Sequence, residues 1–163
     1  MNVDLHMHTN CSDGMYSPEE LTALAVQANL QVIAISDHDT VKAYTSSYSF
    51  ASGVHVIPAI EMSSEYEGED VHILGYYIQT DHPALQAYCM QFKERRQRRA
   101  IEMVEKCRHL GYEIDSDSIE SVLKKGGTIG RPHIARILVQ KGYFSTVRDV
   151  FEKLLYRDVP AYV

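Results

Sequence analysis

The chain has 163 residues, 45% of them hydrophobic and 23% charged, with a formal net charge of −6. That length suits one ordinary domain or part of a larger one, and the apolar content can fill a core, which excludes disorder as the default. The negative balance argues against a broad electrostatic grip on nucleic acid, so double-stranded DNA is not an expected partner.

In chain order, "NVDLHMH" alternates as a strand, with Val3, Leu5 and Met7 on one side and Asp4, His6 and His8 on the other. "SPEELTALAVQA" then starts a helix. Ser17 is its N-cap, Pro18 its first helical residue, and Glu19 and Glu20 favour the dipole. Leu21, Leu24, Ala25 and Ala28 form its expected buried face. "QVIAIS" is a short apolar run of the kind found in strands covered on both sides, so strand, helix and strand make a βαβ unit and a parallel sheet. A third strand, "HVIPAIEM", follows an irregular segment, and a fourth, "EDVHILGYYI", follows the acidic turn "EYEGED".

From about Asp81 the pattern becomes helical. His82-Pro83 opens a long helix reaching "CRHLG", with Gly111 as its C-cap. Shorter helices are expected around "SIESVLKK", over "RPHIARILVQK" before Gly142, and over "STVRDVFEKLL". The division read from this is an α/β part over residues 1–80 and a helical insertion or lid over 81–163. No run of about 18 apolar residues occurs, so no transmembrane helix and no membrane partner are expected. "MNVDLHMH" lacks the layout of a secretory signal. Three scattered cysteines, Cys11, Cys89 and Cys107, fit reduced thiols and a cytoplasmic setting.

The chemistry sits at the strand ends. His6 and His8 are two apart on one strand, so both rings can chelate one ion from the same face. Asp13 lies in the following loop. "SDHDT" places Asp37, His38 and Asp39 after the second strand, "AIEMS" places Glu61 at the end of the third, and "VHILGY" places His72 in the fourth. Taken singly, Asp39 reads equally well as a turn former and Glu61 as a surface residue. Their recurrence at successive strands, where α/β folds build active sites, points to a metal centre. Mixed nitrogen and carboxylate ligands suit Mn, Fe or Zn, and paired ions about 3.5–4 Å apart serve phosphoester hydrolysis.

A second candidate set is basic. In "KERRQRR", Arg95 and Arg99 lie one turn apart on one helix face, and guanidinium forks suit phosphate. Arg131 and His133 in "GRPH" stand where a loop enters a helix, a position that favours anions. A solvated helix face weighs about evenly against a binding role for any one of these arginines. His109 reads as a helix-dipole partner, His82 as a turn residue, His55 as a strand-edge residue and Cys11 as a packing residue. Tyr76, Tyr77 and Tyr112 read as core or rim.

"DLHMHTNCSDG", "ISDHDT", "AIEMS" and "HILGY" resemble the successive motifs of the PHP (polymerase and histidinol phosphatase) family. "RRQRRAIEMVEKCRHLGYEI" and "GRPHIARILVQKGY" are similar to the helical insertion of its stand-alone members, which hydrolyse nucleoside 3′,5′-bisphosphates and trim short RNA from the 5′ end. The resemblance implies an α/β fold, a partial distorted (β/α) barrel with a helical insertion in the C-terminal half. It implies His6, His8, Asp13, His38, Glu61 and His72 as ligands of divalent metal ions, with Glu61 bridging. Mn is the first expectation and Fe or Zn the next, with two or three ions in a complete site. Asp37 and Asp39 would act in catalysis by orienting metal-bound histidines, and with no serine or cysteine nucleophile motif, water would attack directly. Arg95, Arg99, Arg131 and His133 would bind substrate phosphate, the partner being a small phosphorylated nucleotide or short RNA. A histidinol-phosphate-type phosphatase and a non-catalytic, polymerase-associated metal-binding module are the alternatives. A later histidine and an Asp-x-His pair of the family have no counterpart here, so the C-terminal part of the barrel is expected to be missing from this chain.

Overall fold

The computed structural model describes residues 1–115, Ile119 and 130–163. They pack as two compact units, Met1–Lys93 and Glu94–Val163.

The first unit holds one four-stranded sheet. Strands β1 (Val3–Met7), β2 (Val32–Ile35), β3 (His55–Tyr66) and β4 (Glu69–Tyr76) stand side by side in chain order. β1, β2 and β3 are parallel, as the βαβ pattern predicts. β4 returns antiparallel to β3. The cause is local: Glu67 and Gly68 both take positive φ, 51° and 81°, the two-residue turn whose twist matches a hairpin. β2 is covered on both faces. Ile33 and Ile35 pack with Leu21, Ala25, Cys11 and Ala43, while Ala34 packs with Ile57 and Ala59. β1 pairs with β2 alone among the described residues, and Val3 and Leu5 are exposed there.

Helix α1 (Pro18–Gln27) joins β1 to β2. Its start is a capping box: the Ser17 hydroxyl accepts from the Glu20 N–H, and the Glu20 carboxylate accepts from the Ser17 N–H. Its buried stripe is Pro18, Leu21, Thr22 and Ala25, which corrects the expected face. Leu24 and the C-cap Ala28 fall on the solvent side. Thr22 takes a buried place because its hydroxyl donates back to the Pro18 carbonyl and accepts from the Ala51 N–H.

Helix α2 (Pro83–His109) begins in the first unit and continues into the second. The composition change at 80/81 marks its beginning, whereas the packing boundary falls within it at 93/94. After its last turn, the Tyr112 N–H reaches back to the Cys107 carbonyl, so the helix stops beside Gly111. Helix α3 (Arg131–Gln140) and the short α4 (Val147–Val150), which runs on into a wider turn over Phe151–Leu155, follow among the described residues of the second unit. Met103, Val104 and Cys107 of α2 meet Ile134 and Leu138 of α3, with Val150, Leu154 and Leu155. Apart from Ile119, the helix expected around "SIESVLKK" lies outside the described residues.

Candidate metal centre

The register of the sheet decides where the polar residues meet. β2 stops pairing with β3 at Ile35 and Pro58. Beyond that point the chain bridges once more: the Asp39 N–H donates to the Glu61 carbonyl and the Glu61 N–H donates to the Asp37 carbonyl. Glu61 is therefore inside β3, not at its end as the sequence suggests, because the strand runs on into the hairpin. It still sits where the parallel pairing ends, and Ser63, two residues on, pairs with His72 of β4.

Around the buried Glu61 carboxylate the imidazoles converge. Oε2 lies 3.0 Å from His6 Nε2, 3.0 Å from His8 Nε2 and 3.4 Å from His38 Nδ1. Oε1 lies 2.6 Å from His72 Nδ1. Asp13 faces the other nitrogens of two of these rings, 3.3 Å from His8 Nδ1 and 3.8 Å from His38 Nε2. Three overlapping sets result: His6, His8 and Glu61; His8, Asp13 and His38; His38, Glu61 and His72. Each has two imidazoles and one carboxylate, a donor set that fits a divalent transition metal and leaves coordination positions open. The structure thus brings together all the residues read as ligands.

The loop after β1 is built to present Asp13. The Ser12 and Gly14 amides both donate to the Thr9 carbonyl. A Cβ on Gly14 would stand 2.3 Å from the His8 carbonyl oxygen, so only glycine lets the loop fold back this closely. Asp37, fully buried, accepts from the Thr9 N–H at 2.7 Å, the Thr9 hydroxyl at 2.6 Å and the Ser12 hydroxyl at 2.6 Å. Asp39 accepts from the Ser63 N–H at 2.7 Å, its hydroxyl at 2.8 Å and the Tyr88 hydroxyl at 2.7 Å. The two aspartates flank His38 and tie it to loop and strand, so their bonds run to hydroxyls and amides where bonds to imidazole are expected from the sequence. Thr9, Ser12, Ser63 and Tyr88 are the residues that sequence reasoning misses. The hydroxyls of "HTNCSDG" are its one local signal.

The electrostatics follow from this packing. Burial pushes the Glu61 carboxyl up, but hydrogen bonds from His6 and His72 and the charges of His38 and His8 outweigh it and hold Glu61 below its ordinary value. Burial pulls the His8 ring down, and the Asp13 bond and charge, with Glu61 and Asp37, more than reverse that. Asp37 is pushed up by burial, which its bonds from Ser12 and Thr9 only partly offset.

The basic candidates Arg95, Arg99, Arg131 and His133 all stand in the second unit. Arg95 is exposed on α2. Arg99 donates through Nε to the Val163 carbonyl, and its guanidinium carbon lies 5.2 Å from the Tyr162 ring centre. Arg131, at the start of α3, approaches the same ring at 5.8 Å. His133 Nδ1 accepts the Gly130 N–H at that helix start. Arg99 and Arg131 are thus brought together through Tyr162. His109 donates to the Glu105 carbonyl near the end of α2, and His82 Nδ1 accepts the Ala84 N–H at its start.

Residues 4–155 match the family described as the PHP domain. The chain is 37% identical over 169 residues to the 5′-3′ exoribonuclease Rnm of Salmonella typhimurium, covering 98% of this chain and 56% of that protein. It is 31% identical over 164 residues to the 3′,5′-nucleoside bisphosphate phosphatase of Chromobacterium violaceum, covering 99% of this chain and 58% of that one. The solved structure of an amidohydrolase from Chromobacterium violaceum superposes with a TM-score of 0.91 at 31% identity, covering 100% of this chain and 58% of that one. The chain therefore spans a little over half the length of the relatives it matches. The α/β fold, a part-barrel sheet with helices, is the one expected from the sequence. No described helix is long and apolar enough to cross a membrane.

Proposed function

The chain belongs to the PHP domain family, and on that premise we propose that it is a metal-dependent phosphoesterase acting on nucleoside 3′,5′-bisphosphates or the 5′ ends of short RNA. The observation that carries the metal reading is the Glu61 carboxylate, whose two oxygens meet four imidazole nitrogens from three separate chain segments at 2.6–3.4 Å. Each neutral imidazole serves one ion. His6, His8 and Glu61 would hold one, Glu61 and His72 a second, and Asp13 and His38 a third, with Glu61 bridging the first two. Mn is the ion proposed first. Bound divalent ions lower the pKa of water and neutralise charge on phosphoryl oxygens.

The chain's own residues then divide the remaining work. The second nitrogen of His8 faces Asp13, which accepts its proton and fixes the ring's orientation. Asp37 and Asp39 act on catalysis by holding His38 and its neighbours in place. Arg99 and Arg131, with His133 at the α3 start and Arg95 one turn earlier on α2, are proposed to bind a phosphate that does not react, as a bisphosphate or an RNA backbone would present. The names of two relatives, an exoribonuclease and a bisphosphate phosphatase, support that substrate class.

The test is phosphate release from adenosine 3′,5′-bisphosphate by the purified chain with Mn²⁺ and then with EDTA, alongside bound metal measured by elemental analysis. Release that EDTA abolishes, and loss of bound metal in His8→Ala, are expected. Mn²⁺ uptake without release from the bisphosphate or short RNA would move the reading to a non-catalytic metal-binding module. Unchanged metal content in His8→Ala would overturn the ligand assignment.

A further inference from the structure

We propose that Tyr88, on helix α2, is a positioning residue that sets the His38, Glu61 and His72 side of the metal centre without setting the His6 and His8 side. The inference rests on the metal-centre reading and adds to it a residue outside the proposed ligand set.

The Tyr88 hydroxyl lies 2.7 Å from Asp39 Oδ1 and 3.3 Å from the Ser63 carbonyl oxygen. Asp39 in turn binds both the N–H and the hydroxyl of Ser63. These three residues form one clamp, and its position in the chain gives it meaning. Asp39 follows His38 directly and donates its own N–H to the Glu61 carbonyl. Ser63 is two residues past Glu61 and pairs with His72 across the hairpin. The clamp therefore joins the segment carrying His38 to the strand pair carrying Glu61 and His72.

Asp39 holds this place with φ +53°, a left-handed conformation that an L residue adopts at a cost. Such a backbone persists where surrounding bonds over-determine it, and the donors from Ser63 and Tyr88 do so here. The Tyr88 ring packs on Phe92 with centres 4.3 Å apart, and the Cys89 thiol bonds the Val41 backbone. His6 lies in β1 and His8 directly follows it, and they make their contacts with Glu61 and Asp13, so the clamp's hydrogen bonds do not run to them. Groups that orient metal ligands from behind typically change metal affinity about 10–100-fold when removed.

Tyr88→Phe removes the hydroxyl and keeps the ring on Phe92. The metal-free chain and this variant are titrated with Mn²⁺ by calorimetry, with His6→Ala identifying the ion held by β1. The expected result is that the two ions assigned to His72 and to His38 are weakened about tenfold or more, with the β1 ion and the metal-free melting temperature unchanged. Ser63→Ala should weaken the same two ions, and the double variant should add little to either single variant. Superimposable titrations of Tyr88→Phe and the parent would overturn the proposal. So would equal weakening of every ion with a lowered metal-free melting temperature, the mark of a merely structural role. If the parent takes up no Mn²⁺, it is the metal-centre reading that fails. The clamp is then decided by hydrogen exchange of the Ser63 amide in the metal-free chain, where faster exchange in Tyr88→Phe supports it and unchanged exchange overturns it.

Discussion

At the scale of the residue, the centre is a balance of burial against charge. His8 has its proton affinity raised above the ordinary 6.5. In the metal-free chain its pairing with Asp13 and Glu61 is fully stabilising below that value and is lost as pH rises through the raised one. Glu61 behaves oppositely: its contribution is present above its ordinary 4.5 and is lost as pH falls through the depressed value. A metal ion needs both groups without protons. Mn²⁺ affinity should therefore strengthen as pH rises from about 6 to about 8, and the melting-temperature gain on adding Mn²⁺ should widen over the same range. A gain independent of pH would contradict His8 as a ligand. Asp37 makes a different prediction. Asp37→Ala strands buried donors of Thr9 and Ser12, so denaturant unfolding should show a loss of about 3 kcal/mol, together with weaker metal binding through the Asp13 loop.

At the scale of the element, two short features set the first unit. The capping box of α1 satisfies amides that the helix leaves open. Ser17→Ala should cost about 1 kcal/mol in denaturant unfolding, whereas Leu24→Ala, on the solvent side, should fall within about 0.5 kcal/mol of the parent. The loop over residues 9–14 is tighter. Gly14→Ala puts a methyl into the His8 backbone, so it should cost about 1–3 kcal/mol, and it should displace Asp13 and lower Mn²⁺ uptake as well. An unchanged melting curve for Gly14→Ala would show that the loop relaxes freely.

At the scale of the whole molecule, the proposed metal centre and the residues proposed to bind phosphate fall in different units of one chain. The ligand cluster lies within Met1–Lys93, and Arg99, Arg131 and Tyr162 lie within Glu94–Val163. Arg99→Ala and Arg131→Ala should accordingly leave Mn²⁺ uptake unchanged. Each should raise KM for adenosine 3′,5′-bisphosphate about tenfold or more, the scale of a lost charge-assisted hydrogen bond. An unchanged KM in both variants would return these arginines to the role of a solvated helix face that also packs on Tyr162.

By itself the sequence determined what is local. HxH spacing, a buried apolar run at β2, a Ser-Pro-Glu-Glu helix start and glycines just past helix ends each act through near neighbours, so their outcomes were readable in order along the chain. The proposed ligand set could be picked out for the same reason, since histidines and carboxylates recur at successive strands, and the fold brings those residues together. Tertiary structure decided the partners. Thr9 meets Asp37, Asp39 meets Tyr88, and Arg99 meets Val163 only because strand register and helix packing bring distant segments together. The return of β4 turned on positive φ at Glu67 and Gly68, which the acidic run did not single out. A hydrogen bond has a range of about 3 Å and no preference for sequence distance, so the identity of its partner is a property of the fold.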